Sequence, residues 1–152
     1  MPAAEEPAPV ALEGPALFDT GVWSWVRDRR FPELARWFNG EVAAGRVLVC
    51  DLVTLELVRA APNPEAAAAV ADRLASFESL PMGTTLWQRA RELQLALAPS
   101  GGSRRVPPAD LLIAAAAEQA EVPLVHHDAD YPLIAEVSNL RQRWFVPQGS
   151  LA

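Results

Sequence analysis

The strongest constraint on this chain is its rhythm. Short apolar runs, "PALF", "RVLVC", "VPLV" and "RWFV", are separated by stretches with helical spacing. Strands that alternate with helices of about ten residues or more imply a parallel sheet covered by helices on both faces. The 152 residues suffice for one core and one domain.

Along the chain, "PALFDT" reads as a buried strand entering a turn, and "VWSWVRDR" as a first helix. "PELARWFNGEVAAG" opens on Pro, closes on Gly and has apolar residues at helical spacing. "RVLVC" is a second strand. "DLVTLELVRAAP" is a helix opened by Asp51 as N-cap, and "NPEAAAAVADRLASFES" is another. "TTLWQRARELQLALA" carries Leu86, Ala90, Leu93 and Leu97 on one stripe. "PSGGSRR" reads as the clearest internal loop, mobile at its glycines. "PPADLLIAAAAEQAE" is a helix with Pro before its first turn. "VPLVHHD", "DYPLIAEVSN" and "RQRWFVP" complete the pattern as strand, helix and strand.

Residues 1–16 hold three Glu and no Lys or Arg, and lack the basic start and long apolar stretch of a signal peptide. They read as a flexible acidic tail, with the domain over 17–152. No apolar run approaches the length needed to cross a bilayer. The lone Cys50 reads as a small buried residue, consistent with a reducing cytoplasm. The net charge of −6 argues against nonspecific nucleic-acid binding. Its distribution matters more, because Glu5, Glu6 and Glu13 lie in the tail and five further acids fall at telling positions. All thirteen basic residues are Arg, whose rigid fork suits phosphate.

Asp19 and Asp128 each end a strand, and ligands of open parallel sheets bind beyond the carboxyl ends of strands. Either acid alone reads equally as a turn or capping residue. Glu56 lies in "LVTLELVRA", a helix apolar nearly all round and therefore expected to be buried. A carboxylate there needs a metal or a partner, and Arg59 or Arg27 is available. Asp110 lies in the first turn of its helix, where the dipole favours an anion. Together with Asp130, these acids are spaced to converge in such a fold. Carboxylates without interleaved cations repel, and a hard divalent ion resolves that repulsion. Oxygen-only ligands favour Mg²⁺ or Mn²⁺. Such an ion can lower the pKa of water and engage a phosphate oxygen, which suggests a phosphodiester substrate.

At these residues the sequence resembles a PIN-domain ribonuclease, specifically the VapC toxin of VapBC toxin–antitoxin pairs. The resemblance rests on "FDTGVW", "LELVRA", "PADLLIAAAA" and "LVHHDADY", in that order, and runs from about Leu17 to Val146. It implies a PIN-like α/β/α sandwich with a central, mostly parallel sheet. It implies a Mg²⁺- or Mn²⁺-dependent endoribonuclease that directs water at RNA, leaving a 5′-phosphate and a 3′-hydroxyl. It also implies a cytoplasmic homodimer neutralised by a VapB-type antitoxin. Carried over by position, Asp19, Glu56, Asp110 and Asp128 are the metal-binding and catalytic acids. Asp130 and Thr20 are auxiliary.

Three positions depart from the family pattern. His126 stands where Thr or Ser is frequent, Gly21 replaces a common Ser, and Tyr131 replaces Phe, which reads as a mild change. His126 is a candidate outer partner of the acids or a titrating group. Strand alternation sends His127 the other way, so the two imidazoles are not expected to share an ion. Arg104 and Arg105, just ahead of Asp110, are candidates for contact with RNA or with an antitoxin carboxylate. Solvated loop arginines are an equal reading. Three other identities remain. An RNA-processing PIN nuclease outside the toxin class fits the same acids. A catalytically silent PIN-like binding protein fits the fold. An aspartic protease would match "FDTG", but it demands an all-β chain with a second copy.

Overall fold

The computed structural model describes residues 7–151. Among them, strands β1 (Ala16–Phe18), β2 (Val47–Cys50), β3 (Ser79–Leu80), β4 (Leu124–His126) and β5 (Gln142–Trp144) form one sheet. The strand order is β3-β2-β1-β4-β5 and every pairing is parallel. The helices are α1 (Thr20–Trp25), α2 (Pro32–Ala43), α3 (Asp51–Arg59), α4 (Pro64–Leu74), α5 (Thr84–Leu97), α6 (Gly102–Arg105), α7 (Pro108–Ala120) and α8 (Asp130–Glu136). A 3₁₀ turn spans Ala98–Ser100. The expected α/β/α layering is thus present, with the sheet wound outward in both directions from β1.

Burial explains the strand runs. Every residue of β1, β2 and β4 is buried, as expected for central strands covered on both faces. One aromatic cluster seats α1 and α2 on the sheet. Trp37 stacks on Phe18 at 5.7 Å between ring centres, and Trp23 meets Phe38 edge-on at 4.9 Å. The helix α7 is buried from Leu111 to Ala117. Its alanines let it approach the sheet closely while α5 packs along it. Arg89 fixes that contact with a forked ion pair to Glu118, at 2.6 and 3.0 Å.

Three sequence expectations are corrected, and one strand is additional to them. Asp51 is the first residue of α3 rather than its cap: Cys50 is the N-cap, and no side chain caps the helix. The two-residue β3 lacks any apolar run to announce it and exists because β2 offers it a partner. "PSGGSRR" is not an open loop. Gly101 adopts a left-handed φ of +82°, which glycine accepts without strain, and it turns the chain from the 3₁₀ segment into α6. Gly102 is buried against α5, and a Cβ there would lie 3.0 Å from Leu97 Cβ. Finally, the packed body starts before residue 17. Val10 N–H donates to Phe145 O at 2.7 Å, and the Trp37 indole N–H donates to Val10 O at 3.0 Å. Val10 and Leu12 pack on the core, so this stretch is seated by apolar burial and backbone pairing. Residues 1–6 of the proposed tail lie outside the described residues.

Gly102→Ala is expected to overpack the α5–α6 contact and cost about 1–3 kcal/mol. Urea denaturation measures this, and an unchanged midpoint would show that the contact relaxes freely.

Candidate active site

The winding of the sheet creates the site. Successive connections run from β1 through β2 to β3 on one side, and through β4 to β5 on the other. Beyond the carboxyl ends of β1 and β4 lies the switch point, where open α/β sheets form a crevice. Asp19 follows β1 directly, and its N–H donates to Val125 O at 2.9 Å. Asp128 follows β4 two residues on. Asp110 comes from the first turn of α7 and Glu56 from the middle of α3.

Asp110, Asp128 and Asp130 place carboxylate oxygens within 4.8 Å of one another, close enough for one cation. Asp19 joins them through Tyr131. This fully buried phenol donates to Asp19 Oδ1 at 3.0 Å and lies 3.3 Å from Asp110 Oδ1. A single hydroxyl proton thus faces two carboxylates, which favours proton uptake by one of them. Burial, opposed by the Tyr131 hydroxyl, raises the Asp19 pKa to about 6. Burial also lifts Asp110 to about 7, with the negative charges of Asp19, Asp128 and Asp130 adding to the rise. The Tyr131 hydroxyl is pushed well above its ordinary value by burial and by the two acids it touches.

Glu56 stands at the margin of this group. The helix α3 buries only Val53 and Leu57, while Leu55 is 64% exposed, so the expectation of a helix buried all round is corrected. Glu56 is half-buried, and its burial raises its pKa against the pull of Arg59 and the Thr20 hydroxyl. It forms no ion pair with Arg59 or Arg27 within the described residues. Glu56 Oε1 and Thr20 Oγ1 are both buried without a hydrogen-bond partner of good geometry. Orphaned oxygens beside a carboxylate cluster fit a hard cation or its water shell.

The histidines separate as alternation predicts. Asp128 N–H donates to His126 Nδ1 at 3.0 Å, so that nitrogen carries no proton. Nε2 then carries it, 2.6 Å from Gln142 Oε1. Burial lowers the His126 pKa, which holds the ring neutral. His126 therefore anchors the backbone of the Asp128 turn, as a hydroxyl two residues earlier would, and its titrating role is not favoured. His127 turns to the aromatic side and lies edge-on to Trp25, Trp144 and Phe145. Cys50 is buried, and burial pushes its thiol up to about 11, so it is no nucleophile.

Two contacts were not legible beforehand. Tyr131 is a site residue, although Tyr for Phe reads as mild in the sequence. Its place three residues after Asp128 and one after Asp130 is the only sequence signal. Arg105 Nε lies 2.9 Å from Asp130 Oδ1, whereas Arg104 pairs with no described acid.

The PIN domain family matches this chain over residues 16–137. Ribonuclease VapC18 of Mycobacterium tuberculosis is 34% identical over 135 residues, covering 88% of this chain and 96% of that protein. Ribonuclease VapC51 of the same organism is 32% identical over 89% of this chain and 96% of its own length. Among solved structures, DNA-bound VapBC from Salmonella typhimurium superposes with a TM-score of 0.66 at 19% identity, covering 86% of this chain and 97% of that one. VapBC2 from Rickettsia felis gives a TM-score of 0.64 at 18% identity, covering 84% and 96%. These structures carry the fold comparison.

The raised acids carry a sign that can be tested in metal-free protein. An acid with a higher pKa folded than unfolded stabilises the fold when protonated. For Asp110 that contribution is complete below 3.8 and lost as pH passes about 7. Asp110→Asn removes the penalty, so its midpoint should exceed the wild type's by a few degrees at pH 8 and by less at pH 5. The histidines are common to both proteins and cancel. Tyr131→Phe should have the opposite effect, costing on the order of 1–3 kcal/mol at pH 8 by stripping a donor from buried carboxylates. Equal losses at pH 5 and pH 8 would break the link to those acids.

Proposed function

The chain belongs to the PIN-domain family, and from that premise we propose that it is a divalent-metal-dependent endoribonuclease acting as the toxin of a toxin–antitoxin pair. The supporting observation is the gathering of Asp110 with Asp128 and of Asp19 with Asp110 across the Tyr131 hydroxyl, with no ion pair to Asp19 or Asp110 among the described residues. Burying like charges this way is costly for the free protein. It becomes favourable when a cation shares the site.

The donor set fits Mg²⁺ or Mn²⁺. It is all oxygen, with no imidazole in the closest group and with Thr20 Oγ1 and Glu56 Oε1 buried and lacking a partner of good geometry. Asp19, Asp110 and Asp128 would hold the ion, with Glu56 completing the set. When bound, it would supply positive charge and Lewis acidity that favour phosphodiester hydrolysis. The protein's own groups supply position and proton transfer. His126 and Gln142 fix the Asp128 turn, and Tyr131 fixes Asp19 against Asp110. A carboxylate of the cluster accepts the proton that the attacking water gives up.

RNA is the substrate that the family's ribonucleases support, and 5′-phosphate ends are the expected products. We assign a VapB-type antitoxin and a second copy of the chain as partners. We also assign it to the cytoplasm, a reading supported by its single cysteine, which has no second thiol in the chain to pair with. No described helix is long and apolar enough to cross a membrane.

Expression of the wild type should arrest bacterial growth, and Asp19→Ala or Asp110→Ala should restore it, with activity lowered at least a hundredfold. A double variant that stays toxic would remove these acids from the chemistry. Sequencing of RNA ends after induction identifies the substrate.

A further inference from the structure

Asp130 lies within cation reach of Asp110 and Asp128, yet it differs from both. It is the member of the trio that already holds a cation, because Arg105 Nε reaches its Oδ1 at 2.9 Å. Its backbone N–H donates to Asp128 Oδ1 at 2.9 Å, so the acid is also tied to its neighbour. Arg105 is 56% exposed and Asp130 only 15%. One end of this pair therefore faces solvent while the other is fixed in the site.

The guanidinium is engaged at one edge only. Its terminal N–H groups meet no acceptor among the described residues. A guanidinium presents parallel N–H donors that match two oxygens of a phosphate. The backbone beneath it is well held. Gly102 seats α6 on Leu97, and Val106 N–H donates to Gly102 O at 2.9 Å. Arg104, on the same short helix, has no such orienting acid.

We propose that Asp130 is a positioning residue that aims Arg105, rather than a metal ligand, and that Arg105 clamps a backbone phosphate of the RNA beside the acid centre. The inference rests on the nuclease reading and deepens it. It separates Arg105 from Arg104 and gives Asp130 a role of its own. A residue placed this way acts on substrate binding more than on metal binding.

Four proteins test this: the wild type, Arg105→Ala, Asp130→Asn and the double variant. Two quantities are measured, KM and kcat for a short single-stranded RNA at saturating Mg²⁺, and Mn²⁺ affinity by calorimetry without RNA. Each single variant should raise KM about tenfold with little change in kcat, the effect of losing one charge-assisted contact. The double variant should be no worse than either single one, because the two residues act as a unit. Mn²⁺ affinity should stay within about twofold of the wild type in all of them, and Arg104→Ala should leave KM nearly unchanged.

Loss of Mn²⁺ binding in Asp130→Asn with normal KM in Arg105→Ala would overturn the proposal and make Asp130 a ligand. Additive KM effects would overturn the coupling. Arg105 is exposed, so its variant decides the matter even if Asp130→Asn fails to fold. If the wild type neither binds nor cleaves RNA, the nuclease reading itself fails. That result differs from an active wild type whose KM ignores Arg105.

Discussion

The pairing of β1 with β4 is the constraint on which the site depends. Leu17 lies opposite Leu124 and Phe18 opposite Val125, in parallel register. Parallel pairing puts both carboxyl ends on one edge, and consecutive windings leave that edge in opposite directions. The acid after each strand must then face the same crevice. Asp19 N–H, bound to Val125 O, ties the turn to that geometry. Helix α7 is threaded into the same place by its alanine run, which carries Asp110 to the crevice in its first turn.

Convergence has an electrostatic cost, and the neighbouring residues show how it is managed. Tyr131 spreads one hydroxyl between two acids. Arg105 answers the charge of Asp130 from the solvent side. Asp110, lacking a cation, has its pKa raised toward neutrality. His126 contributes no charge, because its Nδ1 is occupied by the Asp128 N–H and its Nε2 by Gln142. The site of the free protein is therefore a strained electrostatic arrangement held by a rigid frame, as expected where binding energy is reserved for ligands.

Much of this was readable from the chain. The strand–helix rhythm gave the parallel sheet, and burial of α5 at Leu86, Ala90, Leu93 and Leu97 follows its stripe. The acids at strand ends pointed to the crevice, and alternation separated the two imidazoles. Other features were not readable. Leu55 is exposed although the apolar count of α3 argued for burial, because packing on one face does not require the opposite face to be covered. The Arg-bearing glycine segment read as a loop, yet Gly102 is there to let α6 meet Leu97. Residues 10–12 read as tail, yet apolar contacts and two backbone carbonyl bonds seat them.

By itself the sequence determined the periodicities, and hence the class of fold, the order of its elements and which acids stand at strand ends and helix starts. These follow from local rules, since side-chain spacing and caps act over a few residues. Only the tertiary structure decided which acids lie within one ion's reach, that a phenol 112 positions from Asp19 would bridge it to Asp110, and that Arg105 would choose Asp130. Those contacts depend on burial and charge among segments distant in the chain. Their energies arise when packing removes water and brings the groups together, and no local pattern encodes that step.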